Sequence, residues 1–499
     1  MPPKTETAQI ETKKTEEYTH YTNIPLYENN RLTSVLRTLV EHSPNKQLAF
    51  DKFMKVSLFH KDYGYYTSNV DIGQERQRQF DFTTSPEALP SFGKYIGQSL
   101  KKVWGAMGTP SEFPIFEMGA GTGALAESLL EGAKEDPEFY KAIQYKIIEI
   151  SPKLIPQQKG KLSKFNSELN PEKVTWIKGS AIDLKKLGIE DINGAFLSNE
   201  LPDTFPVKLL TKINGENKEK YVTIKKDTSG NDVWGTVWGK PSPEVDKYLK
   251  KYNPNLKEKV TEPLSPEAAI WYENMSTALK TGVTLTFDYG RDGQVGRKDT
   301  PPIRNYGKKV PEVSEQDRLD TFRYPGEVDI TADVNFEVFR KIDDENNLMT
   351  VLSETQKKFL SRYNIEDELK KLKDEFGFNS NEYRSAKIKA STENIHVLMS
   401  TKGIIGPIMN PSAEHLPVAE ITPEDPKEIF KNFSESLNSP SLNESKATEM
   451  IEDLFETLES LSLEPSEIIN YTIEELSSLP PDKGKLIKKI FNEKFQVRK

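Results

Sequence analysis

The stretch EMGAGTG, residues 117–123, decides the reading of this chain. It follows an apolar run at 115–118 and precedes a helix-forming stretch at 124–133, so it reads as strand, glycine-rich turn, helix. A nucleotide bearing a carboxylate or phosphate needs backbone N–H donors at a helix start, and only small residues let the backbone approach closely. Gly119, Ala120, Gly121 and Gly123 supply that, with Glu117 opening the turn and Thr122 inside it; these six are the expected nucleotide contacts. Taken alone, the string also suits an ordinary tight turn.

Outward from this turn, strands and helices alternate. Candidate strands lie at 115–118, 144–149, 174–178, 194–198 and 283–289, with helices at 124–133 and after 150–152. That alternation implies parallel strands with helical crossovers, hence an α/β fold with a doubly wound, mostly parallel sheet. Upstream, Leu32, Val35, Leu36, Leu39 and Val40 recur at helical spacing. Two more helices are expected at 48–59 and 89–103, giving a helical cap over 26–110 ahead of a core at 111–410. Two strands at 220–225 and 233–238, joined by DTSGND, read as an inserted β-hairpin, because Gly and Asn tolerate positive φ. Residues 291–324 read as a long loop. Residues 1–25 read as a disordered lead and 411–499 as an acidic, helical and disordered extension.

Composition excludes several function classes. With 68 basic against 77 acidic residues the net charge is -9, so no global footprint for nucleic acid is present. The absence of Cys removes disulfides, thiolate metal sites and a Cys nucleophile. The five His, at 20, 42, 60, 396 and 415, lack the spacing of a helical metal site, and no metal is expected. No stretch approaches the ~20 apolar residues of a membrane span. The start carries Glu6, Glu11, Glu16 and Glu17, unlike an Arg-rich, acid-poor mitochondrial presequence.

Three further motifs carry chemistry. Glu149 closes the strand after the turn, where an acid can accept both ribose hydroxyls; the ordinary alternative is a surface Glu before a turn. With the turn it points to an adenosine ligand, and acidic Glu117 suits a cationic methionine better than a pyrophosphate. Asn199, Glu200 and Asp203 follow the fourth strand, whose carboxyl end faces the ligand crevice. Asn199 is assigned to the cofactor. Glu200 and Asp203 are candidate catalytic residues, since a carboxylate pair can grip a guanidinium through bidentate hydrogen bonds. Asp203 also suits a helix N-cap. In DFTTSPE, residues 81–87, Ser-Pro-Glu resembles a helix start, which leaves Asp81 and Thr84 to clamp a ligand, and Asp81 is the third catalytic candidate.

Together these residues resemble the MidA-like methyltransferases, whose eukaryotic members are mitochondrial protein arginine methyltransferases that assist complex I assembly. The resemblance runs in order through FMKVSLFHKDYGYYTS (53–68), DFTTSPEALPSFG (81–93), FEMGAGTGAL (116–125), YKIIEISPKLIPQQ (145–158), NELPDTFPV (199–207), FDYG (287–290), YPGEVDITADVNF (324–336) and TQKKFLSRYNI (355–365). It implies a class I methyltransferase fold and S-adenosyl-L-methionine as cofactor. Gly119, Gly121 and Gly123 would form the methionine-side turn, Glu149 the ribose ligand, Asn199 and Glu200 the transfer site, and Asp288, Tyr289 and Gly290 its far side. It further implies symmetric dimethylation of arginine on a protein substrate, a complex I subunit among the candidates, and a mitochondrial setting, with the cytoplasm as alternative. Phe80 stands where the family usually has Gly, and the stretch after FDYG departs from its pattern. Two other readings are a degenerate methyltransferase fold serving as an assembly factor, and a nicotinamide oxidoreductase, for which no hydride-transfer constellation stands out.

Overall fold

The computed structural model describes residues 19–26, 31–73, 80–166, 172–297, 302–307, 321–378 and 380–404; the extension expected at 411–499 and most of the expected lead lie outside them. In chain order the strands are β1 (Thr19–Pro25), β2 (Leu48–Ala49), β3 (Phe113–Met118), β4 (Ile143–Glu149), β5 (Val174–Lys178), β6 (Ile192–Asn199), β7 (Lys208–Ile213), β8 (Glu216–Lys226), β9 (Asp232–Gly239), β10 (Glu262–Leu264), β11 (Leu279–Arg291), β12 (Arg304–Tyr306), β13 (Asp329–Thr331), β14 (Val334–Asn335), β15 (Met349–Thr355) and β16 (Ile395–Lys402). The helices that matter below are α1 (Arg31–His42), α2 (Phe50–Phe59), α3 (Ser85–Ala88), α4 (Phe92–Ala106), α5 (Ala124–Ala133), α6 (Leu154–Leu162), α7 (Pro266–Ala278), α8 (Phe336–Glu345) and α9 (Asn381–Ser391).

The larger sheet runs β15-β16-β11-β6-β3-β4-β5. The pairs β3–β4, β3–β6, β4–β5 and β6–β11 are parallel, and β16 runs antiparallel between β11 and β15. The expected doubly wound sheet is therefore present. Its central strands are near-continuous apolar runs because helices cover both faces. On one face α7 and α8 supply Trp271, Tyr272, Met275, Phe336 and Phe339, all buried against Met118 and Phe196. Tyr272 and Phe339 stack there with centroids 4.4 Å apart. On the other, α4 meets α5 so closely that a Cβ on Gly93 would lie 2.4 Å from the Leu125 carbonyl oxygen.

The strand order reverses at β3, flanked by β4 on one side and β6 on the other. A crevice opens at such a switch point, beyond the carboxyl ends of the strands. Glu117–Gly123, Glu149 and Asn199–Glu200 all lie at those ends.

The hairpin expected from DTSGND is β8–β9, but it belongs to a second, antiparallel sheet ordered β1-β9-β8-β7-β10, with β2 on β8. Two expectations are corrected by it. Thr19–Pro25, assigned to a disordered lead, pair antiparallel with β9. The stretch 26–110 is not one cap: α1 and α2 bury Leu36, Val40, Phe53 and Met54 against Val222 and Trp234 of the second sheet, whereas α4 packs on the first. An amphipathic helix goes to whichever apolar face is left uncovered, and helical spacing does not say which. Leu48–Ala49, expected as the start of a helix, instead pair with Val222 and Tyr221.

Candidate functional site

The turn after β3 is built on glycine. Gly119, Gly121 and Gly123 have φ of 71°, 53° and 85°, a left-handed region that L side chains enter at a cost of ~1–2 kcal/mol. A Cβ on Gly119 would lie 3.0 Å from Leu201, which lines the same cavity, so the turn leaves room that any larger residue would fill. α5 begins directly after Gly123, presenting its free N–H groups beside the turn.

The cavity over this turn is lined by Glu117, Gly119, Ala120, Gly121 and Thr122, by Glu149 and by Asn199 and Glu200. Of the expected cofactor contacts only Gly123 is off the wall; it caps α5 instead. Sequence reading missed Ile150, Ala181 and Ile182, which form an apolar end beside Glu149, and Tyr66 and Glu87, which also line the cavity. Ile150 follows Glu149 directly at the end of β4, and that place beside a strand-end acid is the local signal for it. The apolar end beyond an acid that can hold ribose suits an adenine ring.

The Glu149 carboxylate accepts from the Ser151 N–H at 2.8 Å and from Gln158 Nε2 at 2.9 Å, and Gln158 also donates to the Gly121 carbonyl at 2.8 Å. One side chain thereby ties the acid to the turn. Burial raises the Glu149 pKa, offset in part by these donors. Glu117 is buried under the turn, where Tyr145 donates to it at 2.8 Å. Burial pushes Glu117 up to about 8, with Tyr145 opposing and the nearby Glu149 and Glu87 reinforcing. Thr84 donates to Glu87 at 2.6 Å and Thr122 hydrogen-bonds the other oxygen, so α3 is fastened over the glycine turn.

Asp81 is not brought to this wall. Its carboxylate accepts from Tyr65 at 2.9 Å, behind the lining residues. Asp203 is no N-cap either: it sits inside the short helix Pro202–Thr204, buried one layer behind Leu201 and Thr204 of the cavity wall. Its N–H donates to Asp288 at 2.9 Å, and its pKa is raised by burial and by Asp329. Burial and Asp203 raise Asp288 in turn, and Asp329 is pushed up to about 7, mainly by burial. Asp288, Tyr289 and Gly290 thus support the wall from behind; a Cβ on Gly290 would strike the Val334 carbonyl at 2.1 Å, where β14 joins β11. Asn199 Oδ1 and Asp203 Oδ1 are buried acceptors without a hydrogen-bond partner among the described residues. Groups of this kind are costly unless something fills them.

No group of three or more His, Asp or Glu side chains among the described residues could hold a metal ion. No helix there is long and apolar enough to cross a membrane.

Comparison with known proteins agrees with this geometry. A mouse protein named protein arginine methyltransferase NDUFAF7, mitochondrial, is 26% identical over 70% of this chain and 78% of its own length. The Drosophila melanogaster homologue of the same name is 26% identical over 64% of this chain and 72% of its own. A crystal structure from Burkholderia thailandensis, of a protein bound to S-adenosyl-homocysteine, shares the fold with a TM-score of 0.59 at 22% identity, covering 75% of this chain and 92% of that one. The family described as putative S-adenosyl-L-methionine-dependent methyltransferase matches residues 95–355, more than half of the 499 residues. Those residues carry the glycine turn, Glu149, Asn199 and Glu200, and the chain belongs to that S-adenosyl-L-methionine-dependent methyltransferase family.

Proposed function

We propose that this methyltransferase acts on arginine of a protein substrate, forms symmetric dimethylarginine, and works in mitochondria on a subunit of respiratory complex I during its assembly. The observation that carries the arginine reading lies at the end of β6, where Asn199 Oδ1, on the cavity wall beside Glu200, is a buried acceptor without a hydrogen-bond partner among the described residues. A guanidinium offers five N–H donors in a fixed fork, one of which would meet that acceptor. The names of the mouse and fly relatives support the same acceptor and compartment.

The bound cofactor supplies an electrophilic methyl group. The chain's own residues do the rest: the turn offers N–H donors to a carboxylate, Glu149 accepts the ribose hydroxyls, and Ile150 and Ile182 flank the base. Asn199 would orient the acceptor nitrogen, with Asp203 supporting the wall from behind. Such a site works by alignment and electrostatics and needs no strong base.

The test is mass spectrometry of complex I subunits incubated with the protein and labelled S-adenosyl-L-methionine, with Gly121→Arg as the control that removes donor binding. Arginine labelling by wild type only is expected. Labelling of lysine, or of nothing while donor binding is intact, would sink the arginine reading.

Glu117 yields a separate expectation. A cofactor carrying an ammonium group favours the ionised carboxylate, but in the free protein Glu117 is largely protonated below about pH 8. Binding therefore expels a proton, and affinity rises several-fold from about pH 6.5 to a maximum near pH 8, above which the cofactor's own α-ammonium, with an ordinary pKa of about 7.7–8.0, loses its charge. Titration calorimetry in buffers of different ionisation enthalpy checks both points, and Glu117→Gln should flatten the profile.

A further inference from the structure

We propose that Lys389 is a positioning residue for methyl transfer: through a buried ring of hydrogen bonds that closes on Ser85, it sets the charge and the orientation of Glu200 at the donor end of the cavity. The proposal rests on the cavity holding S-adenosyl-L-methionine, not on the identity of the acceptor.

Lys389 enters from α9, far along the chain. Its Nζ donates to both Glu200 oxygens, at 3.1 and 3.0 Å, and to the Tyr289 hydroxyl at 2.8 Å. The Ser85 N–H donates to Glu200 Oε1 at 2.8 Å. Ser85 Oγ donates to Gln356 at 3.1 Å, and Gln356 Nε2 donates to the Lys389 carbonyl at 2.7 Å, which completes the ring. Ser85, Gln356 and Lys389 are buried, and none of the three lines the cavity; Glu200 does. Of the ring's side chains, only the Glu200 carboxylate reaches the cavity.

A buried ion pair is often no more than internal neutralisation. Two features go further here. Glu200 has φ of 50°, a left-handed backbone that costs a non-glycine residue free energy, and its N–H is held by the Phe287 carbonyl at 2.8 Å. That strain aims the side chain out of the strand direction, between Ser85 and Lys389. In addition, Ser85 begins α3, whose Glu87 accepts from Thr122 of the glycine turn, so the ring couples the acid to the segment fastened over the cofactor.

The electrostatic consequence is specific. The methyl donor is a sulfonium cation, while the demethylated product is neutral at sulfur. A bare carboxylate at Glu200 would favour the donor over the product; Lys389 cancels that field. Burial alone would depress the Lys389 ammonium, but Glu200 and Tyr289 outweigh it and hold its pKa above the ordinary lysine value. The other charged or titratable groups facing the pair are Asp203 and Asp288 on the Glu200 side and, around Tyr289, Tyr306 and the Arg304 guanidinium, which lies over the Tyr289 ring at 5.1 Å.

The experiment measures, by calorimetry on the full chain, the ratio of the Kd for S-adenosyl-homocysteine to that for S-adenosyl-L-methionine. Lys389→Met should raise the ratio about tenfold. Glu200→Gln leaves the ammonium uncompensated and, measured near pH 6 where that ammonium keeps its proton, should lower the ratio about tenfold, while Lys389→Arg stays at the wild-type value. Opposite shifts in the two variants cannot come from general loosening, which weakens both ligands together. Ratios unchanged within about twofold while both ligands bind, or shifted the same way in both variants, overturn the proposal. If Lys389→Met does not fold, an unchanged ratio in Glu200→Gln overturns it by itself. Wild type that binds neither ligand removes the donor-site reading and this proposal with it, an outcome distinct from unchanged ratios.

Discussion

Gly119→Val should abolish saturable binding of S-adenosyl-L-methionine, with affinity falling more than about a hundredfold. Gly119 has φ of 71°, and a Cβ there would sit 3.0 Å from Leu201. A β-branched residue is a genuine outlier in this region of φ/ψ space. The chain must either hold Val in a strained conformation with its methyls in the cavity, or leave the left-handed region and turn the N–H groups of the following residues away from the ligand. Both routes remove the cradle. Gly160→Ala in α6 is the control, because a Cβ there meets nothing within 4 Å. Calorimetry on both variants decides the matter; Gly119→Val that is folded and binds within about threefold of wild type would show that the turn does not hold the cofactor.

The largest loss of stability is expected from Gly282→Ala. Gly282 lies on β11 opposite Gly194 of β6, next to an irregularity in the pairing, with φ of 138°. A Cβ would lie 1.8 Å from the Gly194 carbonyl oxygen, a backbone atom in the middle of the sheet that cannot move aside without parting two strands. Gly194 is itself pressed against Pro114 of β3, a Cβ there lying 2.2 Å from the Pro114 carbonyl oxygen, so the three central strands are in backbone contact at one level. Steric conflict with fixed backbone, added to a disfavoured φ, places the change among the large destabilisations, about 3 kcal/mol or more. In urea the midpoint should fall with the slope preserved. Gly105→Ala in α4, where a Cβ meets nothing within 4 Å, should be neutral or stabilising by up to ~1 kcal/mol.

These two glycines differ in how they could be recognised. Gly119 stands in a string whose spacing announces a turn between strand and helix. Gly282 stands in KTGVTLTF at residues 280–287, where nothing local says that the neighbouring strand also carries a glycine at the matching level. The same contrast runs through the site. Glu149 and Asn199 were legible because each ends an apolar strand, and the carboxyl ends of parallel strands converge at the switch point. Asp81 was not, because a Tyr65 hydroxyl draws it away. The last two strands of the larger sheet, β15 and β16, were also missed, although IHVLMSTK is a short apolar run of the buried-strand kind.

By itself the sequence determined the local units: the strand–turn–helix at 115–133, the alternation that makes the sheet parallel, the hairpin at 220–238 and the acids at strand ends. Side-chain periodicity and glycine conformational freedom act over a few residues and need no distant partner. Only the tertiary structure decided that Thr19–Pro25 complete a second sheet, that α1 and α2 cover it, and that Lys389 meets Glu200 across 189 positions of chain. Such choices depend on which buried charge or apolar face is left to be satisfied once the chain has collapsed, and many polar residues could answer that need. A glycine turn can therefore be read from its own residues, whereas the charge at its transfer end belongs to a pair that folding brings together.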